Sequence, residues 1–146
     1  MTILRKLYEF NIPREDLVQI YTVYIRSILE YNSNVWFSSI TKEEREHLER
    51  VQKVACRIIL KSDYINYTDA LQTLNLLSLS DRRQILAKRF ASKCVKNERF
   101  KDLFPQNQNR MELRGSEKYL VKFCNGRRLQ KSSIPAMQKL LNKQKS

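Results

Sequence analysis

Glycine occurs only twice in 146 residues, and proline three times. That scarcity argues against a turn-rich β fold and favours a mostly helical chain. Histidine is limited to His47, and Cys56, Cys94 and Cys124 are odd in number, far apart and form no paired spacing. Zinc sites are announced by closely spaced ligand pairs, so reduced thiols are expected and a metal centre is not. No apolar run is long enough to cross a bilayer, and no uninterrupted apolar block opens the chain as in a secretory leader. A soluble intracellular protein, nuclear or cytoplasmic, is therefore expected, without a membrane partner. A glycine-rich phosphate loop, a His/Glu metal motif and a nucleophile elbow are all missing. Glu15-Asp16 and Glu43-Glu44 are first-turn helix acids with a capping explanation. Composition and motif thus predict no catalytic residue, no cofactor and no small-molecule substrate in this chain.

What the sequence does contain is centred on Thr41–Lys61. Thr41 followed by Glu44 is a capping box, in which hydroxyl and carboxylate each satisfy an amide at the helix start. Leu48, Val51, Ala55 and Ile58 then recur at helical spacing and mark one apolar face. Glu46 precedes Arg50 and Glu49 precedes Lys53 by one turn, in the favourable acid-first order. Taken alone, this pattern describes an amphipathic core helix.

Charge is distributed unevenly. The formal net is +13, yet residues 1–60 hold 9 basic and 8 acidic residues, while residues 61–146 hold 19 and 7. The excess of +12 in the second part suits a surface that meets a polyanion, and nucleic acid is the expected partner. An anionic membrane suits it less, because the basic part lacks a broad aromatic and aliphatic face.

In chain order, Ile3, Leu4, Leu7 and Tyr8 predict a short helix over 1–10. Pro13 suits the start of a second helix, running to about Tyr31. Leu17, Ile20, Tyr21, Tyr24, Ile28 and Tyr31 line one of its faces, and Val18, Ile25 and Leu29 cover another, so burial in mid-domain is expected. Arg26 and Glu30 sit one turn apart and are expected to pair, with Arg26 reaching out to a phosphate as the alternative. Trp36, in the loop 32–40, is expected to plug the space between the two long helices, with stacking on a base as the alternative. A short helix comes next at about 69–74. Ser78 with Asp81 forms a second capping box that opens a helix from about Ser80 to Asn97. Its apolar line is expected at Leu86, Phe90 and Cys94, beside Ala87 and Ala91. Arg82, Arg89, Lys93 and Lys96 make a separate strip of one sign, which suits either solvent or phosphate. Beyond Phe104 the chain turns polar and basic, with 10 basic and 2 acidic residues in 105–146. A loop over 106–110, a short strand over 118–123 and a last helix bearing Met137, Leu140 and Leu141 are expected there, loosely held or ordered by a ligand.

Three segments carry a family resemblance. YTVYIRSILEYNSNVW, LERVQKVACRIIL and SLSDRRQILAKRFASKC, in that order, resemble the region just downstream of the polymerase core in reverse transcriptases of non-LTR (LINE-type) retrotransposons. Tyr24, Ile25, Arg26, Glu30, Tyr31 and Trp36 match the first motif. Leu48, Glu49, Gln52, Lys53, Ala55, Arg57 and Ile58 match the second. Arg127 through Pro135, then Leu140-Leu141-Asn142, is similar to the family's closing segment. Cys56 stands where the family often has another residue, Arg128 replaces a tyrosine, and the cysteine-rich knuckle of some relatives is absent.

The resemblance implies the thumb and post-thumb part of an RNA-directed DNA polymerase, which grips a template–primer duplex and holds no catalytic residue. Magnesium and its aspartates would belong to a palm preceding Met1, itself a partner. The reading is a mostly α helical bundle over 1–104, thumb-like, with a basic and partly irregular extension over 105–146. The residues expected on nucleic-acid phosphates are Arg82, Arg89, Lys93 and Lys96, with Gln52, Lys53 and Arg57 from the resemblance, and Arg127 and Lys131 in the extension. The alternatives are a stand-alone basic RNA- or DNA-binding module and a helical protein-interaction domain, in which Trp36 and the apolar surface from Leu4 to Tyr31 dock onto a partner.

Overall fold

The computed structural model describes residues 1–107, 118–121 and 126–143. Among these the chain is mostly α-helical, and its one β feature is an isolated antiparallel bridge between Gln106 and Tyr119. It divides into two compact units, one of Met1–Tyr31 with Thr41–Arg82, the other of Asn32–Ile40 with Arg83–Ser146. The division falls inside a helix, and does not coincide with the expected change of character between residues 104 and 105.

The first unit contains α1 (Thr2–Glu9), α2 (Arg14–Ile20), a π-helical turn (Tyr21–Ile25), α3 (Arg26–Glu30), α5 (Lys42–Leu60) and α6 (Tyr67–Thr73). Thr41 starts α5 as its side chain predicts. The Thr41 amide donates to Glu44 Oε2 at 2.7 Å, and the Glu44 amide donates to Thr41 Oγ1 at 3.2 Å. The Thr41 amide, with the Thr41 hydroxyl donating to the same oxygen at 3.0 Å, holds the Glu44 carboxyl below its usual range. Leu4, Leu17, Tyr21, Ala55, Cys56, Ile59 and Ala70 form the centre of this unit's core.

The expected second helix is not uniform. Its middle widens into the π turn, where hydroxyls compete for helix carbonyls: Thr22 Oγ1 donates to Gln19 O and Ser27 Oγ to Tyr24 O. An extra residue in the turn rotates the helix beyond it about its own axis. Leu17 and Tyr21 are buried, whereas Val23, Tyr24, Ile28 and Tyr31 face outward. The expectation of a helix buried on most sides is thereby corrected.

With so few glycines, left-handed backbone positions fall to asparagine. Asn11, Asn32 and Asn75 have φ of 54°, 48° and 50°, and asparagine tolerates this region better than other residues that carry a Cβ. Lys61 is the exception, at φ 44°, where α5 ends. Its Nζ lies 3.8 Å from the centroid of the Tyr8 ring.

The second unit takes in α4 (Ser33–Trp36), α8 (Arg127–Gln130), α9 (Ser133–Asn142) and most of α7 (Leu79–Lys96). Its core is Ala91, Cys94, Phe104, Tyr119, Met137 and Leu141, with Phe37 and Val95 beside them. The rings of Phe104 and Tyr119 meet edge to face, 6.5 Å apart. Asn142 clamps the Tyr119 backbone twice: its Nδ2 donates to Tyr119 O, and its Oδ1 accepts from the Tyr119 amide, both at 2.9 Å. Gln138 Nε2 donates to Leu103 O at 2.8 Å. The described part of the basic extension thus contributes Tyr119, Met137 and Leu141 to this core. The expected strand is limited to the bridge at Tyr119; residues 122 and 123, residues 108–110 of the expected loop, and Cys124 lie outside the described residues.

Trp36, expected between the two long helices, groups with this unit. The Arg83 guanidinium lies 5.8 Å from the centroid of its ring.

Candidate nucleic-acid interface

Helix α7 carries the strip of cations and is set by its first turn. Ser78 Oγ accepts from the Asp81 amide at 3.1 Å and donates to the Asp81 carboxylate at 2.7 Å. From there the buried line is Leu79, Arg83, Ala87, Ala91 and Cys94. Leu86 is only half-buried, and Phe90 is 44 % exposed. The expected apolar line was one residue out of register: small Ala87 and Ala91 allow close packing, and Phe90 is turned outward.

The outward side of α7 presents Ile85, Arg89, Phe90, Lys93 and Lys96, with Lys88 half-buried beside them. Among the described residues, Arg89, Lys93 and Lys96 make no ion pair. An open groove of about 720 Å³ runs along this side, lined by Asn34, Ile85, Lys88, Arg89, Phe90 and Lys93 among others. No carboxylate lines it among the described residues. Lys88 and Phe90 were not foreseen as part of a site. The signal available was their position, one before and one after Arg89 on a helix whose inner line is alanine.

Arg82 belongs to a different arrangement. Its Nε donates to Glu30 Oε1 at 2.5 Å and its Nη2 to Glu30 Oε2 at 3.0 Å, a two-pronged pair in which the Glu30 side chain is only 12 % exposed. The hydrogen bond to Glu30 raises the Arg82 pKa further. Arg26 keeps a looser contact with the same carboxylate at 3.9 Å, while burial and the neighbouring Arg82 push its pKa down. The expected Arg26–Glu30 pair is thus secondary, and Arg82 is engaged internally rather than offered to phosphate.

Gln52 is likewise corrected. It is 0 % exposed. Its Oε1 accepts from Tyr21 Oη at 2.7 Å, and its Nε2 donates to Tyr67 Oη and Leu77 O, both at 2.9 Å. Tyr67 Oη in turn donates to Glu49, whose Oε1 also accepts from the Leu79 amide at 3.1 Å. Glu49 therefore serves this network, and Lys53 instead lies with its Nζ 5.1 Å from the Tyr67 ring centroid. Burial drives the Tyr21 and Tyr67 hydroxyls and the Cys56 thiol upward, the last to about 11.

Arg57 is exposed on α5, its guanidinium 5.3 Å from the Tyr64 ring centroid, and lines a second depression of about 430 Å³ with Arg5, Tyr8 and Lys61. Arg127 and Lys131 are exposed at α8, where the Lys131 carbonyl accepts from Ser38 Oγ at 2.8 Å. Neither lines the α7 groove. The nine expected contact residues thus separate: Gln52, Lys53, Arg57 and Arg82 lie in the first unit, and Arg89, Lys93, Lys96, Arg127 and Lys131 in the second.

Among the described residues, no group of three or more His, Cys, Asp or Glu is placed to hold a metal, and no helix is long and apolar enough to cross a membrane. Compared with protein-family models, with curated proteins and with solved structures, the chain gives no significant match in any of the three.

Proposed function

We propose that this chain grips the sugar–phosphate backbone of a nucleic-acid duplex through the outward side of α7, and performs no chemistry alone. The observation that carries the reading is the strip of Arg89, Lys93 and Lys96: exposed, of one sign, and without ion pairs among the described residues. A cation held in a bidentate pair, as Arg82 is, gains little from a phosphate; an unpaired one gains by releasing counterions. Backbone contact suits a protein that must follow a duplex whatever its sequence. The resemblance to the thumb and post-thumb region of non-LTR retrotransposon reverse transcriptases points the same way, with template–primer as ligand and a polymerase palm as neighbour. Magnesium, on that reading, serves the palm and not this chain. The reading keeps the protein inside the cell, wherever template and primer meet.

The test is fluorescence anisotropy of a labelled RNA–DNA template–primer duplex with the whole chain. Binding that weakens steeply with salt and is indifferent to sequence is expected. Binding that is absent at low salt overturns the reading.

A second reading rests on Val23, Tyr24, Ile28 and Tyr31, large apolar residues left outward on the π turn, on α3 and just after it. Such a face favours docking against another protein surface. Concentration-dependent self-association, unchanged by added nucleic acid, would favour it over the first.

A further inference from the structure

The groove on α7 holds more than cations. Phe90, at 44 % exposure, sits in its wall one residue after Arg89 and three before Lys93, with Lys88 and the aliphatic Ile85 on the same stretch. Phe90 leaves apolar surface in water beside these cations. An aromatic ring flanked by same-sign cations suits an unpaired nucleotide, the ring against a base and the cations on neighbouring phosphates. The groove's volume of about 720 Å³ lies within the usual range of small-ligand clefts, roughly 300–1,000 Å³. The lack of a lining carboxylate among the described residues leaves its charge complementary to an anion alone.

We infer that the α7 groove receives an unpaired nucleotide of a single-stranded overhang next to the gripped duplex, with Phe90 stacking on its base and Lys88 on its phosphate, beside the duplex phosphates held by Arg89, Lys93 and Lys96. This rests on the reading of α7 as a backbone grip and adds to it a preference for junctions over blunt ends.

The test compares three labelled probes with the whole chain: a blunt duplex, the same duplex with a four-nucleotide overhang, and one whose overhang is abasic. The overhang is expected to bind about tenfold tighter than either of the other two, as one stacked base would give. Phe90→Ala should abolish that advantage while leaving blunt-duplex affinity within twofold, and Phe90→Trp should restore it. Equal affinity for overhang and blunt ends overturns the inference and leaves the backbone grip standing, as does an abasic overhang that binds like the natural one. Failure to bind any of the three removes both. Because Phe90 is nearly half exposed, its replacement leaves the core cluster of Ala91, Cys94 and Phe104 intact.

Discussion

Arg82 and Glu30, separated by 52 residues, are joined by two hydrogen bonds of 2.5 and 3.0 Å from one guanidinium to one carboxylate. The pair ties the start of α7 to the end of α3 within the first unit. Truncating one partner leaves the other half-buried without its fork. Arg82→Ala should lower stability by about 1–3 kcal/mol, with Arg26 offering only a weak substitute. Urea unfolding reads this as a lower midpoint at an unchanged slope.

Gln52 is predicted to be a structural residue. Gln52→Leu keeps volume but deprives Tyr21 Oη of its acceptor and Leu77 O of its donor. A loss of about 3 kcal/mol is expected, since each buried group left unmatched costs about 1–3 kcal/mol. Measured at a temperature where the variant remains folded, its nucleic-acid affinity should match that of the parent chain.

The clamp of Asn142 on Tyr119 predicts that the second unit depends on its last helix. Asn142→Ala removes two hydrogen bonds and should cost about 2 kcal/mol. Asn142→Asp should not rescue it, because a carboxylate has no proton for the Tyr119 carbonyl. Hydrogen exchange checks this directly: the Tyr119 amide, protected in the parent, should exchange freely in Asn142→Ala.

Alkaline pH should destabilise the first unit through its buried thiol and hydroxyls. The Cys56 thiol rises from an ordinary value near 9 to about 11, and the Tyr21 and Tyr67 hydroxyls rise as well. Above each group's ordinary value the unfolded chain releases a proton that the folded chain retains, so stability falls as pH increases. The Cys56 contribution is fully present below about pH 9 and is lost between about 9 and 11, at up to about 1.4 kcal/mol per pH unit, and the tyrosines add to the decline above about pH 10. Cys56→Ala should make the decline shallower; an identical profile would exclude Cys56 as a contributor.

How far the sequence carried depended on whether a feature was local. The capping boxes at Thr41 and Ser78 were readable because all their atoms lie within one turn, and they located the starts of α5 and α7. Helix content came from the scarcity of glycine and from spacing. The faces of α7 were harder. Leu86-Phe90-Cys94 and Arg83-Ala87-Ala91 are adjacent lines, and apolar character favours the first, whereas packing used the second because alanine permits close approach and the buried Arg83 guanidinium lies by the Trp36 ring. The partner of Glu30 was misread for a related reason: Arg26 is near in sequence, but a guanidinium 52 residues away reaches with better geometry. Gln52 was placed on phosphate by the family resemblance alone, and only the fold reveals the two tyrosines it serves.

The most direct test of the central claim is the salt slope of template–primer binding, compared between Arg89→Ala and Arg82→Ala. If α7 grips phosphate through its unpaired cations, Arg89→Ala flattens the plot of log affinity against log salt by about one unit, and Lys93→Ala does the same. Arg82→Ala should leave the slope unchanged once its lower stability is allowed for. A slope that responds to Arg82 and ignores Arg89 and Lys93 would contradict the account.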